Sequence, residues 1–228
     1  MEAFAYIVLM FFWLMLALSL FLLTKKKIGL AKKWKALVNS IVIMSVIFVI
    51  IELMFLRVKV WWFNNDYITG IFVFKNIPLE RFISFIIIPI CCVLIYEHII
   101  YKAPKLKLQS VSFWISVVLG TLALYFAITN TDRLYTFVYM ILASTIILWQ
   151  IFYGNHKAWL THFYLMFLIA LIPFTIINGL LTSLQIIAYN EQEIMTTNIY
   201  PIPAEDFIYF LVMIFMVIML YEPLKQRA

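Results

Sequence analysis

The chain has 228 residues, of which 66% are hydrophobic and 12% charged, with a mean hydropathy of +1.03 and a formal net charge of +6. Soluble domains are about 45–50% apolar, so a soluble globular protein is excluded, and charges that flank apolar runs mark membrane sides rather than a nucleic-acid surface. The two cysteines, Cys91 and Cys92, are adjacent inside an apolar run, which excludes a disulfide framework or a CxxC site and leaves them as small packing residues.

Seven stretches are long and apolar enough to cross a bilayer, at roughly 4–23, 36–56, 80–101, 111–129, 134–153, 159–181 and 204–222. The first carries its lysines after the apolar run and not before it, so it reads as a span and not as a cleavable signal. None alternates with period two, which excludes barrel strands, and helices satisfy their own backbone groups as lipid demands. The predicted fold is an all-α integral membrane protein with seven transmembrane helices.

Lys25, Lys26, Lys27, Lys32, Lys33, Lys35, Lys102, Lys105, Lys107, Lys157, Lys225 and Arg227 fall on the side opposite the N-terminus. Arg57, Lys59, Lys75, Arg81 and Arg133 fall on the N-terminal side. The positive-inside rule then predicts an external N-terminus and a cytoplasmic C-terminus, in a bacterial-type cytoplasmic membrane. The acids segregate the other way: Glu97 and Glu222 lie on the basic side and all others on the N-terminal side.

The third and seventh spans open alike. Ile77-Pro78-Leu79-Glu80-Arg81-Phe82 returns 125 residues later as Ile202-Pro203-Ala204-Glu205-Asp206-Phe207, and the same offset relates Tyr96-Glu97 to Tyr221-Glu222 and Asn65 to Asn190. Pro, Glu, Tyr-Glu and Asn in one register indicate an internal duplication. Helices one to three form one unit (1–103) and helices five to seven the other (131–228). The odd linker helix (104–130) makes the two repeats parallel. Both Pro-x-Glu motifs then start helices on the N-terminal side, after loops rich in aromatic and amide residues.

Pro and an acid at a helix start are a sound way to begin any helix. Two in register, facing one side of a charge-poor bundle, point to acids working in its interior. Glu80 and Glu205 are the candidates. Asp206 is Glu205's neighbour, but adjacent helical residues do not share a face, so one faces a cavity and the other the loop. Clustered carboxyls in a poorly solvated site raise one another's pKa. Glu52 either joins this cluster or pairs with Arg57. Trp61, Trp62, Tyr67, Tyr189 and Tyr200 are placed to line the mouth or shield a cation, with Asn65 and Asn190 in the same loops. Asn178-Gly179 after Pro173 predicts a kink in the sixth helix that brings the amide to a cavity. Tyr96-Glu97 and Tyr221-Glu222 read as an interfacial belt. His98, His156 and His162 form no ligand set, and the five glycines are too dispersed for a nucleotide loop.

Two three-helix units, each with Pro-x-Glu followed by Tyr-Glu and joined by a seventh helix, resemble the membrane-integral lycopene cyclases of carotenoid pathways. The likeness covers essentially the whole chain, in the form where two subunits are fused. It rests most on Pro78-Leu79-Glu80 and Pro203-Ala204-Glu205-Asp206, with Asn178-Gly179-Leu180-Leu181-Thr182 in support. The family's first motif commonly has two acids, and Arg81 takes the place of the second here. The resemblance implies a lycopene β-cyclase that works by acid–base chemistry, with Glu80, Glu205 and Asp206 as acid and base and no cofactor. It contrasts with the flavin-binding cyclases. It also implies a polyene that enters from lipid, and association with other pathway enzymes or with a second copy. Glu205→Gln is expected to stop ring formation. Other readings stay open: an ε- or γ-type ring, a small transporter, and a non-catalytic carotenoid-binding subunit. Most transporter repeats are inverted, however, and binding a hydrocarbon needs no acids.

Overall fold

A computed structural model describes residues 5–74, 76–106, 108–154, 159–195, 198–199 and 201–226. Tyr200 and His156, with the charge markers Glu2, Lys75, Lys107, Lys157 and Arg227, lie outside the described residues. The helices are α1 (Ala5–Ile28), α2 (Leu30–Arg57), α3 (Leu79–Lys102), α4 (Gln109–Thr129), α5 (Leu134–Tyr153), α6 (Leu160–Ser183) and α7 (Ala204–Gln226), and all are long and apolar enough to span a membrane. The chain is an all-α integral membrane protein.

The sequence places a basic loop between the first two spans. Instead, helix runs up to both sides of Gly29, which adopts φ 62° and ψ 37° in open space. One left-handed residue reverses the chain, and any residue with a Cβ would be strained there.

The repeats interlock. α1 packs on α3 as α5 packs on α7, and each unit reaches across, α2 against α7 and α6 against α3. α7 is apolar on every side and is buried from Tyr209 to Ile218, as a central helix must be. α4 joins from outside through a small-residue stripe, Ser112, Ser116, Gly120, Ala123 and Ala127. Such a stripe lets helix backbones approach closely in lipid. A Cβ on Gly120 would meet the Leu148 side chain at 2.8 Å, and the Ser116 hydroxyl bonds the Tyr164 phenol at 2.6 Å.

The two long loops contain short strands that the sequence did not announce: β1 (Trp61–Phe63), β2 (Phe72–Phe74), β3 (Ile77–Pro78), β4 (Ile187–Tyr189), β5 (Asn198–Ile199) and β6 (Ile202–Pro203). β3 and β6 close matching antiparallel hairpins just ahead of α3 and α7, on β2 and β5 respectively. β1 and β4 pair between repeats, with Trp61 opposite Tyr189. Strands this short do not appear as hydrophobic alternation, because tertiary contact rather than local propensity selects them. The β1–β4 pairing brings both loops to one end of the bundle, and with them the starts of α3 and α7.

At the opposite end the structure corrects the interfacial-belt reading. Tyr96 and Tyr221 are fully buried. The Tyr96 hydroxyl donates to Glu222 at 2.8 Å, and the Tyr221 hydroxyl donates to Glu97 at 2.9 Å. Lys33 and Lys225 neutralise these carboxylates. The repeated dipeptide is a reciprocal clasp between units, and only its pairing between them distinguishes it from a belt.

Candidate active site

The first turn of α7 presents its two acids in different directions. Asp206 turns inward, 3% exposed, and accepts bonds from the Tyr135 hydroxyl on Oδ1, and from Asn178 Nδ2 (2.6 Å) and the Tyr189 hydroxyl (2.7 Å) on Oδ2. Those partners come from α5, α6 and β4, so folding of the second repeat assembles the group. Tyr189 lies outside the helices. Burial holds its phenol well above the usual range, and the neighbouring Asp206 charge adds to the effect.

Glu205 turns toward its own loop. Its Oε1 accepts from the Thr136 hydroxyl at 2.6 Å and from the Met195 amide. Glu80 does the same in the first repeat, where Oε1 accepts from the Thr69 amide at 2.7 Å. Both carboxyls are fully buried, and the second oxygen of each has no hydrogen-bond partner among the described residues.

Where α7 carries Asp206, α3 carries Arg81. Its guanidinium forms two bonds to Glu52, each 3.1 Å, and the Trp61 indole donates to the same carboxylate at 3.2 Å. It also sits over the rings of Tyr209 (5.0 Å), Phe85 (5.4 Å) and Trp61 (5.9 Å). Of the two partners considered for Glu52, the acid cluster and Arg57, it binds neither: Arg81 holds it, and Arg57 is exposed. The equivalent half-sites therefore differ in chemistry. The first is a closed ion pair. The second is a carboxylate held by neutral donors.

Between them lies a narrow cavity of about 30 Å³, walled by Tyr6, Trp13, Arg81, Phe174, Asn178 and Tyr209 among others. A space of this size holds about one water, so a larger guest must part the aromatic wall. Asp206 meets the cavity through Asn178.

Glu52, Trp61, Asn178, Tyr189 and Asp206 thus converge on one interior region, and Trp61, Tyr135 and Tyr189 are in mutual ring contact. Trp62 and Asn65 do not join it. They line an outer recess of about 550 Å³ with Lys59, Phe72 and Asn76, and Trp62 is 49% exposed. Tyr67 is half-buried against the core. Asn190 serves its loop, with its side chain accepting from the Gln192 amide. Sequence reasoning did not single out Tyr6, Tyr135, Thr136, Tyr139 or Tyr209. Two signals were available: Tyr135 and Tyr139 share a helical face, and Tyr209 lies one turn beyond Asp206.

A family model described as lycopene cyclase matches residues 4–99 and 132–224. Neither a curated protein nor a solved structure matches the chain. The two matched segments correspond to the two three-helix units and leave out α4, the helix that carries the chain between them. By that match the chain belongs to the lycopene cyclase family, membrane enzymes that cyclise carotenoids.

Proposed function

We propose that this chain converts the acyclic ends of lycopene to β-rings, using its own carboxyl groups as acid and base. The observation that carries the reading is the interior carboxylate Asp206, held by three neutral donors beside an aromatic cavity.

The reaction adds a proton to the terminal double bond and leaves a tertiary cation. The neighbouring alkene attacks that cation, a carbon–carbon bond closes the ring, and a base removes a ring proton. The product is an isomer of the substrate. Atoms and electrons balance without an oxidant or reductant, so proton transfer is the chemistry the site has to supply.

Asp206 suits the base, because three donors favour its acceptor form and are already in position before reaction. Glu205 suits the acid as the second buried carboxyl of the same turn, with one oxygen that has no hydrogen-bond partner among the described residues. Glu80 is its counterpart in the first repeat. The faces of Tyr209, Tyr6, Trp13 and Phe174 suit a developing carbocation. Arg81 brings a positive charge to the same wall, and its bidentate pair with Glu52 offsets the repulsion that charge would exert. The site lies at the end of the bundle where α3 and α7 begin, the N-terminal face, which the lysine and arginine bias assigns to the outside.

The test is expression in a lycopene-accumulating host with chromatography of the pigments, followed by the purified chain in liposomes without added flavin or nicotinamide. β-Carotene or its monocyclic precursor from the wild type, with unchanged lycopene from Asp206→Asn, is the expected result. An ε-ringed product would correct the ring type, and unchanged lycopene from the wild type would overturn the reading.

A further inference from the structure

The interior cavity cannot hold a carotenoid, so the rest of the molecule has to leave the bundle along some path. On each of three helices, one stripe runs from the cavity to the lipid. On α1, Trp13 at the cavity is followed on the same face by Leu16 and Leu20. On α3, Ser84 and Ile88 are followed by Ile95 and Ile99. On α6, Ile177 is followed by Pro173 and Ile169. The outer parts of these stripes wall an apolar groove of about 430 Å³, in which His98 is the single polar residue among the described lining. α1 packs mainly on α3, which leaves its seam with α6 lightly filled.

We infer that the α1–α3–α6 groove binds the unreacted tail of the polyene while one end occupies the interior cavity. This inference rests on the proposed cyclase reading. Three features of the molecule support a polyene and not a passing lipid chain. The residues that wall it lie on the same three helices as residues that wall the candidate site. Its walls are hydrocarbon apart from His98. The path from cavity to groove suits an extended chain, because Ser84 at the cavity and Ile99 in the groove lie about 22 Å apart along α3, within a hydrocarbon core of about 30 Å. A second groove of about 390 Å³ lies between α2 and α3, lined by Val42, Val46, Phe82 and Ile86. Phe82 and Ile86 lie on another face of α3, and none of its walls leads to the cavity.

Ile172 and Ile176 line the first groove and are 64% and 55% exposed, so a larger side chain fits there without disturbing the core. The purified wild type, Ile172→Trp, Ile176→Trp and the control Val46→Trp are reconstituted in liposomes, and initial rates are followed against the mole fraction of lycopene. The groove variants are expected to raise the apparent KM roughly tenfold or more with kcat within about twofold, and the control is expected to match the wild type. If a tryptophan variant fails to insert, Ile172→Phe replaces it and the same KM shift is required. Unchanged KM in the groove variants, or an equal shift in the Val46 control, overturns the inference while leaving wild-type cyclisation intact. Absence of cyclisation in the wild type instead overturns the functional reading beneath it.

Discussion

Replacing Asp206 by Asn separates catalysis from folding, because the amide matches the carboxylate in shape. Oδ2 accepts two bonds, from Asn178 and Tyr189, while Oδ1 accepts one, from Tyr135. The amide carbonyl therefore takes the Oδ2 position. Its NH2 then faces the Tyr135 hydroxyl, which can turn to accept. All three bonds persist, but they lose charge assistance, at about 1 kcal/mol each. Against that loss of about 3 kcal/mol, the variant no longer buries a charge, a saving of several kcal/mol. The net change in stability is therefore small, within about 2 kcal/mol. Catalysis has no such compensation. Loss of a general base lowers rates about 10²–10⁴-fold, which is about 3–5 kcal/mol in the barrier. The assay pairs thermal unfolding in detergent with chromatography of reconstituted reactions. A midpoint near wild type with ring formation reduced at least about a hundredfold is the expected result. Ring formation at the wild-type rate from an equal amount of the Asp206→Asn variant would refute the argument.

Further outcomes can be checked alongside. Arg81→Met leaves Glu52 as an uncompensated buried charge and should cost about 3–5 kcal/mol in unfolding measurements, most of it recovered in the Glu52→Gln/Arg81→Met double variant. Tyr96→Phe and Tyr221→Phe each remove one arm of a matched clasp, so their unfolding costs should be similar, about 1–3 kcal/mol each. The Tyr189 phenol has a raised pKa in the folded chain. The stability it contributes is therefore complete below the unfolded value of about 10 and is lost as pH rises through and above it. Tyr189→Phe should flatten that alkaline loss in pH-dependent melting. Because the groove leads one polyene end to one face of the membrane, each binding event should close one ring. A time course should then show the monocyclic product rising before the bicyclic one.

The sequence determined the membrane, the seven spans and the parallel doubling. Each of these depends on local composition or on identities repeated at fixed spacing, and lipid leaves the chain no spanning alternative to helices. Pro78 and Pro203 likewise announced where α3 and α7 begin. The sequence narrowed Asp206 and Glu205 to one facing the cavity and one facing the loop, since a helix turns about 100° per residue. Which of the two faces inward was decided by tertiary structure, through Tyr135, Asn178 and Tyr189 arriving from three other elements. The choice of Arg81 over Arg57 as partner for Glu52 was decided the same way, as was the swap that joins Tyr96 to Glu222 and Tyr221 to Glu97. Each of these last contacts joins residues 29 to 126 positions apart. No local pattern encodes such a contact, because it exists only once separate helices have packed together, within one unit for Glu52 and Arg81 and between units for the tyrosine–glutamate pairs.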